Sequence, residues 1–414
     1  MAEHEPKIRE VITAGTLAPP EDSNIVGQSW SEIDLMPPEY RFNTPVPQMT
    51  VSLMGTDAMG AEVFKGVLAQ GHKFKAIFAP PNPKDALRQA VEKENEGREE
   101  GNKIALYDLV PDTESKPGTM KDPETITRFS DENTDLGIFA SVTYIAPEEI
   151  YAGPKRKTIG VHDSLLDKGR GGNAGGNAII NTEKDKKNGE RRVTFSGVSV
   201  YEVTKGEDEG DKFFQQETAI WDTDSTFNLF PDSTLPIGSK LMVNTVEMFA
   251  RGLENEIRQP QDLTKDTKEK LIGKRWIDWN RPSVEIYDEL RGALPYLPFA
   301  ELTPGEEVDI DTHLAKYHPI WNLRAGISWM VNRSYPDVEP GTVVEIGTDG
   351  MIVATADSAI RVEKIQQSSA RRGPKTGRFI EVDAKERGKS VDAHESEITV
   401  GYKFMSPNQE QLAA

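Results

Sequence analysis

The feature that most restricts the fold of this 414-residue chain is a strand, helix, strand pattern with short connections. Residues 49–54 form an apolar run that predicts a strand. In residues 59–68 the apolar side chains recur at helical spacing, which predicts a helix. Residues 73–78 predict a second strand. Two strands joined by a short crossover helix form a parallel pair, so the sequence predicts an α/β fold.

The α/β pattern continues beyond this first unit. The remaining segments are predicted as helices at 86–91 and 241–250 and as strands at 104–106, 135–141, 159–162, 193–203 and 213–220. The last two strands are expected to pair in antiparallel fashion. From Gly341 the sequence changes to short alternating segments around an Asp349-Gly350 turn, which is typical of hairpins. We therefore expect a Rossmann-like, mostly parallel sheet followed by a small, OB-like β-barrel.

Composition shifts along the chain set the expected domain boundaries. The expected parts are an irregular, proline-rich arm at 1–48, an α/β domain at 49–300, a linker at 301–340, a C-terminal β-barrel at 341–383 and a polar tail at 384–414. The linker is assigned because residues 300–340 are rich in proline, histidine and tryptophan. The oligomeric state cannot be read from the sequence.

Charge and cysteine content exclude several classes of protein. With 49 basic and 68 acidic residues, the net charge is −19, which disfavours binding to phosphate backbones. The chain has no cysteine, so disulfides, thiolate metal sites and a cysteine nucleophile are excluded. No apolar run reaches the length of a membrane helix, and the first 30 residues lack a signal-peptide pattern. We expect a soluble, cytoplasmic protein without membrane contact.

Two segments carry candidate chemistry. His162 lies at the carboxyl end of a predicted parallel strand, where open α/β sheets bind their ligands. A lone histidine is also common in structural roles, and both interpretations stay open. Asp208 lies in an acidic turn that is either a solvated hairpin or a carboxylate placed beside His162 to orient its imidazole.

Two further clusters are weaker candidates. Asp309, Asp311, His313 and His318 lie close together in sequence, but their spacing fits no zinc site, so no metal is expected. The basic run from Arg371 to Arg378 is the one patch that suits phosphate groups.

The residues around His162 and Asp208 resemble the two motifs of the N10-formyltetrahydrofolate-dependent formyltransferase family, which includes methionyl-tRNA formyltransferase and the hydrolase domain of formyltetrahydrofolate dehydrogenase. The family motif is His-x-Ser-Leu-Leu-Pro-x-x-Arg-Gly. Residues 162–171 of this chain read His-Asp-Ser-Leu-Leu-Asp-Lys-Gly-Arg-Gly. The later Asp-x-Gly-Asp turn matches 208–211. Similar segments extend over roughly residues 50–375.

This resemblance implies an enzyme that moves a formyl group from N10-formyltetrahydrofolate. His162 is then expected to stabilise the oxyanion, and Asp208 to orient His162 and to relay protons or position a water. The residues expected to contact the folate are Phe139, Ala140, Ser141, Val142, Ile145, Gly160 and Ser164. Ser164 is interpreted as a turn hydroxyl and not as a nucleophile.

The departures from the family pattern leave three functions open. The family usually has Asn two residues before the histidine, and this chain has Gly160, which removes one oxyanion donor. The first hypothesis is formyl transfer to an amine of a small molecule, with transfer RNA disfavoured by the negative charge. The second is hydrolysis to formate and tetrahydrofolate, because the dehydrogenase's hydrolase domain also lacks that Asn. The third is an inactive folate-binding homologue.

Overall fold

The computed structural model covers 414 residues and describes most of them. The described residues are 29–110, 118–131, 133–142, 144–166, 169–172, 174–180, 193–221, 224–263, 277–292, 299–302, 320–323, 328–331, 333–348, 350–362, 364–368, 370–372, 379–381, 391–392, 400–401 and 403–405. They fall into two compact units. The first comprises the described residues within 29–175, 193–221 and 228–263, and the second comprises the others.

The first unit is built on one seven-stranded sheet. Its strands are β1 (Thr50–Gly55), β2 (Lys73–Ala79), β3 (Leu106–Asp108), β4 (Leu136–Ala140), β5 (Thr158–His162), β6 (Val193–Glu202) and β7 (Lys212–Trp221). The order across the sheet is β3-β2-β1-β4-β5-β6-β7. The first five strands along the chain are parallel to one another, and β6 and β7 are antiparallel. The predicted α/β fold with a mostly parallel sheet is confirmed.

The described residues also form α-helices, the last of which belongs to the second unit. They are α1 (Asp57–Ala69), α2 (Ala86–Glu96), α3 (Pro123–Ser130), α4 (Glu148–Tyr151), α5 (Ala174–Ile180), α6 (Thr226–Leu229), α7 (Leu235–Ala250), α8 (Glu254–Ile257) and α9 (Ser283–Gly292). In the first unit, α1 and α7 share one hydrophobic core with the apolar side chains of β1, β4 and β6. Phe64, Phe213 and Phe249 are among its fully buried members. Since this core anchors one face of the sheet, the strand ends that carry the site are held on a rigid frame.

The parallel register brings three strand ends to the same edge of the sheet. Gly55 pairs with Ala140 between β1 and β4, and Phe139 pairs with Gly160 between β4 and β5. The residues that leave the sheet at this carboxyl edge are therefore Thr56, Ser141 and His162. This edge is where ligands bind in open α/β sheets.

The second unit contains antiparallel strands. They are β8 (Phe299–Leu302), β9 (Ile320–Leu323), β10 (Ser328–Val331), β11 (Val343–Gly347), β12 (Gly350–Ala354), β13 (Ala359–Val362), β14 (Lys364–Ser368), β15 (Ala370–Arg372), β16 (Phe379–Glu381), β17 (Val391–Asp392) and β18 (Phe404–Met405). One sheet has the order β10-β13-β12-β11, and another has the order β17-β14-β9-β8-β18. Strands β11 and β12 pair in antiparallel fashion on either side of the predicted hairpin position, with Gly347 opposite Gly350. Closure of these strands into an OB-like barrel stays a prediction.

The two units do not follow the expected domain bounds. The second unit contains the described residues 176–180 and 224–227 as well as those from 277 onward. The expected linker at 301–340 contains β9 and β10, and β10 pairs with β13 inside a sheet. The expected tail at 384–414 supplies β17 and β18, and Phe404 of β18 is fully buried against Trp279 at 5.5 Å between ring centroids. These strands are short and are paired by distant segments, so the local composition does not reveal them.

The described part of the N-terminal arm, residues 29–48, is irregular apart from one short 3-10 turn at Pro38–Tyr40. Trp30 and Met36 are buried in the core of the first unit. Among the described residues, no helix is both long and apolar enough to cross a membrane.

Candidate active site

His162 is the last residue of β5 and lies at the carboxyl edge of the sheet. It pairs with Ser199 of β6, and its side chain is only 9% exposed. The Nδ1 atom lies 3.5 Å from Oδ2 of Asp208. The Nε2 atom is buried and has no hydrogen-bond partner among the residues that the structure describes. One nitrogen of the imidazole therefore faces a carboxylate, and the other is buried without a hydrogen bond to any described residue.

Asp208 lies in the turn that joins β6 to β7. Its backbone is in the left-handed region with φ 55°, which Asp tolerates better than most residues. The side chain of Gln261 donates from Nε2 to the Asp208 carbonyl at 3.0 Å. This contact fixes the turn, and with it the direction of the carboxylate.

The carboxylate of Asp208 has partners on both oxygens. The Tyr201 hydroxyl donates to Oδ1 at 2.7 Å, and the backbone N–H of Gly171 donates to Oδ2 at 2.9 Å. Gly171 has φ 90°, a conformation that glycine adopts without steric cost. Three segments therefore meet at this carboxylate: the end of β5 through His162, the following loop through Gly171, and the hairpin that carries Tyr201 and Asp208.

The loop after His162 is held by buried hydroxyl groups. The Ser164 hydroxyl donates to the carbonyl of Gly169 and is thus used within the turn. The Ser199 hydroxyl donates to the carbonyl of Ser164 at 2.7 Å and accepts from the N–H of Leu166 at 3.2 Å. The interpretation of Ser164 as a turn hydroxyl agrees with this geometry, and its side chain shapes the loop.

The segment expected to receive the pterin leaves the sheet at the same edge. Phe139 and Ala140 belong to β4 and are buried, and Ser141 has φ 58° at the point where the strand ends. Val142 is partly buried, whereas Ile145 is 88% exposed. Because β4 is the parallel neighbour of β5, this segment begins beside Gly160.

Thr56 ties this segment to the end of β1. Its backbone N–H donates to the Ala140 carbonyl at 3.1 Å, and its hydroxyl donates to the Ser141 carbonyl at 3.0 Å. The Gly-Thr pair after an apolar strand was visible in the sequence, but this contact depends on which strands are neighbours.

Tyr201 fills the space beside Gly160. A Cβ atom built on Gly160 lies 3.0 Å from Cε1 and 3.2 Å from Cζ of Tyr201. The Asn that the family usually has at this position therefore needs room that the ring occupies here. Desolvation by the surrounding protein, together with the negative charge of Asp208, raises the pKa of Tyr201 well above its ordinary value of 10.0. The phenol thus stays protonated and acts as a donor to the carboxylate.

Sequence reasoning missed Tyr201, although a signal was present. Side chains alternate along a strand, so residues 160 and 162 share one face of β5, and residues 199 and 201 share one face of β6. The pairs Gly160 with Tyr201 and His162 with Ser199 place these four positions together. The register of the two strands is needed to see it, and the register is not fixed by either segment alone.

Two predicted features lie outside the described residues. They are the segment that contains Asp309, Asp311, His313 and His318, and residues 373–378 of the basic run. Within the described parts of the chain, no group of three or more His, Asp or Glu side chains is arranged to hold a metal ion.

An imidazole held by a carboxylate has a defined chemistry. For a favourable contact with Asp208, Nδ1 carries a proton, so Nε2 of the neutral ring is a base. After it takes up a proton, Nε2 becomes a donor, and the adjacent carboxylate stabilises the resulting cation. The site can therefore accept a proton from a nucleophile and stabilise a negatively charged oxygen.

Comparisons with known proteins identify the family of this chain. Residues 51–246 match the model of the formyl transferase family, and residues 273–374 match the model of the formyl transferase C-terminal domain. Methionyl-tRNA formyltransferase of Alkaliphilus oremlandii is 24% identical over 327 residues, which is 78% of this chain and 94% of that protein. The enzyme of Staphylococcus aureus strain MW2 is 26% identical over 326 residues, with 78% and 93% covered.

Solved structures of similar chains include two kinds of protein. An N-formyltransferase from Helicobacter canadensis, in complex with folinic acid and dTDP-3-aminofucose, has a TM-score of 0.48, an identity of 14%, and coverage of 76% of this chain and 98% of that one. HypX from Aquifex aeolicus in complex with tetrahydrofolic acid has a TM-score of 0.47, an identity of 15%, and coverage of 77% and 44%. The two family models together span well over half of the sequence, and the chain belongs to the formyl transferase family.

Proposed function

We propose that this protein transfers the formyl group of N10-formyltetrahydrofolate to an amine of a small molecule. The observation that carries the proposal is the environment of His162, whose Nδ1 faces the Asp208 carboxylate while Nε2 is buried without a partner among the described residues. A buried polar atom without a hydrogen bond costs about 1–3 kcal/mol. A catalytic role is one explanation for such an atom, and the carboxylate on the other nitrogen of the same ring favours it for His162.

In this proposal, the lone pair of the acceptor amine attacks the formyl carbon. A tetrahedral intermediate forms, and its oxygen becomes negatively charged because it takes the electron pair of the carbonyl π bond. His162 in its protonated form donates from Nε2 to this oxygen. One such donor is typically worth on the order of 10²–10³ in rate.

Asp208 has two tasks in the same step. It keeps the proton of the imidazole on Nδ1, and its charge stabilises the cation while the oxyanion exists. When the intermediate collapses, the bond from the formyl carbon to N10 breaks. The amine loses one proton and N10 gains one, so the pair of His162 and Asp208 moves a proton without net consumption.

The folate is proposed to lie along the segment that follows β4. The backbone from Phe139 to Val142 leaves the sheet beside Gly160, and Ile145 exposes an apolar side chain next to it. A flat heterocycle on this segment removes apolar surface from water, which contributes about 25 cal/mol per Å².

The acceptor is proposed to be a small molecule because the chain is strongly acidic. The net charge of −19 opposes the approach of a polyanion, whereas it is compatible with a cationic amine. The related methionyl-tRNA formyltransferases act on a polyanion, so transfer RNA is the outcome against which this part of the proposal is tested.

Hydrolysis is the second candidate, and Gly160 favours it. This position lacks the amide that the family motif usually has, as does the hydrolase domain of formyltetrahydrofolate dehydrogenase. With water as the nucleophile, the same pair of side chains releases formate.

The deciding experiment incubates the protein with N10-formyltetrahydrofolate and analyses every product by mass spectrometry. The reactions contain no acceptor, a panel of amino sugars and other small amines, or transfer RNA charged with methionine. A formylated small amine supports the proposal. Formate that forms equally with and without acceptor identifies a hydrolase, and formylmethionyl-tRNA identifies the macromolecular acceptor. No turnover at all would mean an inactive homologue.

A further inference from the structure

Gly160 and Tyr201 form a small–large pair across two antiparallel strands. They are register partners on β5 and β6, and they lie on the face of the sheet that carries His162. A Cβ atom on residue 160 meets the Tyr201 ring at 3.0 Å and Cγ2 of Val203 at 3.2 Å. The φ of Gly160 is outside the left-handed region, so backbone conformation does not demand glycine there. A side chain at residue 160 therefore requires the Tyr201 ring or Val203 to shift by a few tenths of an ångström.

The hydroxyl group of Tyr201 contacts the Asp208 carboxylate, which faces His162. The hydroxyl donates to Oδ1 of Asp208 at 2.7 Å, and the same carboxylate presents Oδ2 to Nδ1 of His162 at 3.5 Å. The Tyr201 and His162 rings also meet edge to face, with centroids 6.4 Å apart. A carboxylate that is bound on both oxygens cannot rotate about its last bond without losing a hydrogen bond.

We propose that Tyr201 is a positioning residue that holds Asp208 against His162, and that Gly160 is the residue that gives its ring room. The amide that the family motif carries at position 160 is thereby exchanged for a phenol that acts on the carboxylate end of the catalytic pair. The kinetic part of this inference rests on the proposed function. The geometric part concerns only the imidazole and its partner.

The Tyr201→Phe variant isolates the hydroxyl because it keeps the ring in the space beside Gly160. We expect kcat to fall about tenfold, which is the lower range for the loss of a group that orients a functional side chain. The KM for the formyl donor and the melting temperature should stay unchanged. Tyr40→Phe is the matched control, since Tyr40 packs against Phe214 in the core and its variant should keep the wild-type kcat.

A spectroscopic readout tests the same contact without any turnover. In protein labelled with ¹⁵N-histidine, one of the six histidines is His162, and the His162→Gln variant assigns its signals. The wild type should show the tautomer that is protonated on Nδ1. In Tyr201→Phe the two ring nitrogens should move towards averaged shifts, because the carboxylate that selects the tautomer is less constrained. Identical spectra would overturn the positioning role.

The Gly160→Ala variant tests the second half of the inference. Its methyl group displaces the ring and should lower kcat by the same factor of about ten as Tyr201→Phe. The double variant should be no slower than either single variant, because both remove one interaction. Gly101→Ala is the control, since a Cβ atom there meets nothing within 4 Å. Losses that multiply in the double variant would contradict a shared cause.

The two proposals fail in different ways. A wild-type protein that consumes no N10-formyltetrahydrofolate refutes the proposed function, while the histidine spectra still decide the positioning role. An active wild type with unchanged kcat and unchanged spectra in Tyr201→Phe refutes the positioning role and leaves the function in place.

Discussion

His162 and His72 are two buried histidines at opposite ends of the same sheet. Both have an Nε2 atom that is buried without a hydrogen-bond partner among the described residues. They differ at Nδ1. In His72 this nitrogen accepts from the backbone N–H of Met49 at 3.1 Å, whereas in His162 it faces the Asp208 carboxylate at 3.5 Å. His72 therefore accepts a hydrogen bond, whereas the nitrogen of His162 lies beside an anionic side chain.

The two histidines also lie at different edges of the sheet. His72 precedes β2 and lies at the amino edge, whereas His162 ends β5 and lies at the carboxyl edge. Burial lowers the pKa of His72, because the cation loses its hydration and has no carboxylate in compensation. An unpartnered buried nitrogen is therefore not evidence of a site by itself. The group that contacts the other nitrogen, a carboxylate in His162 and a backbone N–H in His72, distinguishes the candidate catalytic histidine from the structural one.

The largest expected effect separates the two histidines by activity. His162→Gln should lower kcat by 10²–10⁴, roughly the contribution of general acid–base catalysis and one oxyanion donor. His72→Gln should keep kcat within about threefold of the wild type, because the ring has no contact with the catalytic edge. Initial rates with N10-formyltetrahydrofolate measure both. Equal losses in the two variants would remove the basis of the comparison.

The next effect concerns the carboxylate. Asp208→Asn keeps the size of the side chain but removes the charge that stabilises a cationic His162. We expect kcat to fall about 10²-fold, with the dissociation constant of the folate unchanged, as in other histidines that depend on a carboxylate. Fluorescence titration with tetrahydrofolate checks the binding. A loss of affinity without a loss of kcat would show that Asp208 binds the folate.

A smaller effect appears in the pH dependence of stability. The pKa of His72 is lowered on folding from the usual 6.5, so the unfolded chain binds the proton first as the pH falls. The stability from neutral His72 is thus present above pH 6.5 and is lost below it, by up to about 1.4 kcal/mol per pH unit. Urea unfolding at pH 7.5 and pH 5.5 measures the loss. His72→Gln should reduce it, and an unchanged loss would rule His72 out as the cause.

The smallest effect is expected at the second carboxylate near His162. Oδ1 of Asp163 lies 4.0 Å from Nδ1, but this side chain is 44% exposed, whereas that of Asp208 is 12% exposed. Because water screens an exposed charge, Asp163→Asn should change kcat less than about threefold. A loss as large as that of Asp208→Asn would mean that both carboxylates hold the imidazole.

The sequence predicts the first unit well because its signals are local. The β1–α1–β2 pattern and the pairing of β6 with β7 follow from periodicity. The approach of Asp208 to His162 was expected only from the resemblance of two motifs to the family. Helix α3 is also signalled locally, by Asp122 as an N-cap before Pro123, but it was not predicted. The strands β9 and β10 and the pair of Gly160 with Tyr201 depend on segments that are far apart in sequence, so neither could be derived without the sheet register.

The substitution of Asn for Gly160 shows why the missing strand register matters for a functional prediction. From the sequence alone, Gly160→Asn has two possible outcomes: it restores an oxyanion donor and raises the rate, or it fills space that the acceptor needs and lowers the rate. In the structure, a Cβ atom on residue 160 already meets the Tyr201 ring, so we expect the substitution to shift the ring and lower kcat. One cross-strand neighbour therefore decides the expected sign of the change.

The most direct test of the central claim follows the formyl carbon itself. N10-formyltetrahydrofolate labelled with ¹³C in the formyl group is incubated with an acceptor amine and with the wild type, His162→Gln or His72→Gln. We predict that the ¹³C signal moves from the folate to the acceptor amide with the wild type and with His72→Gln, and stays on the folate with His162→Gln. A signal that stays on the folate with the wild type, or that moves equally fast with His162→Gln, would contradict the account.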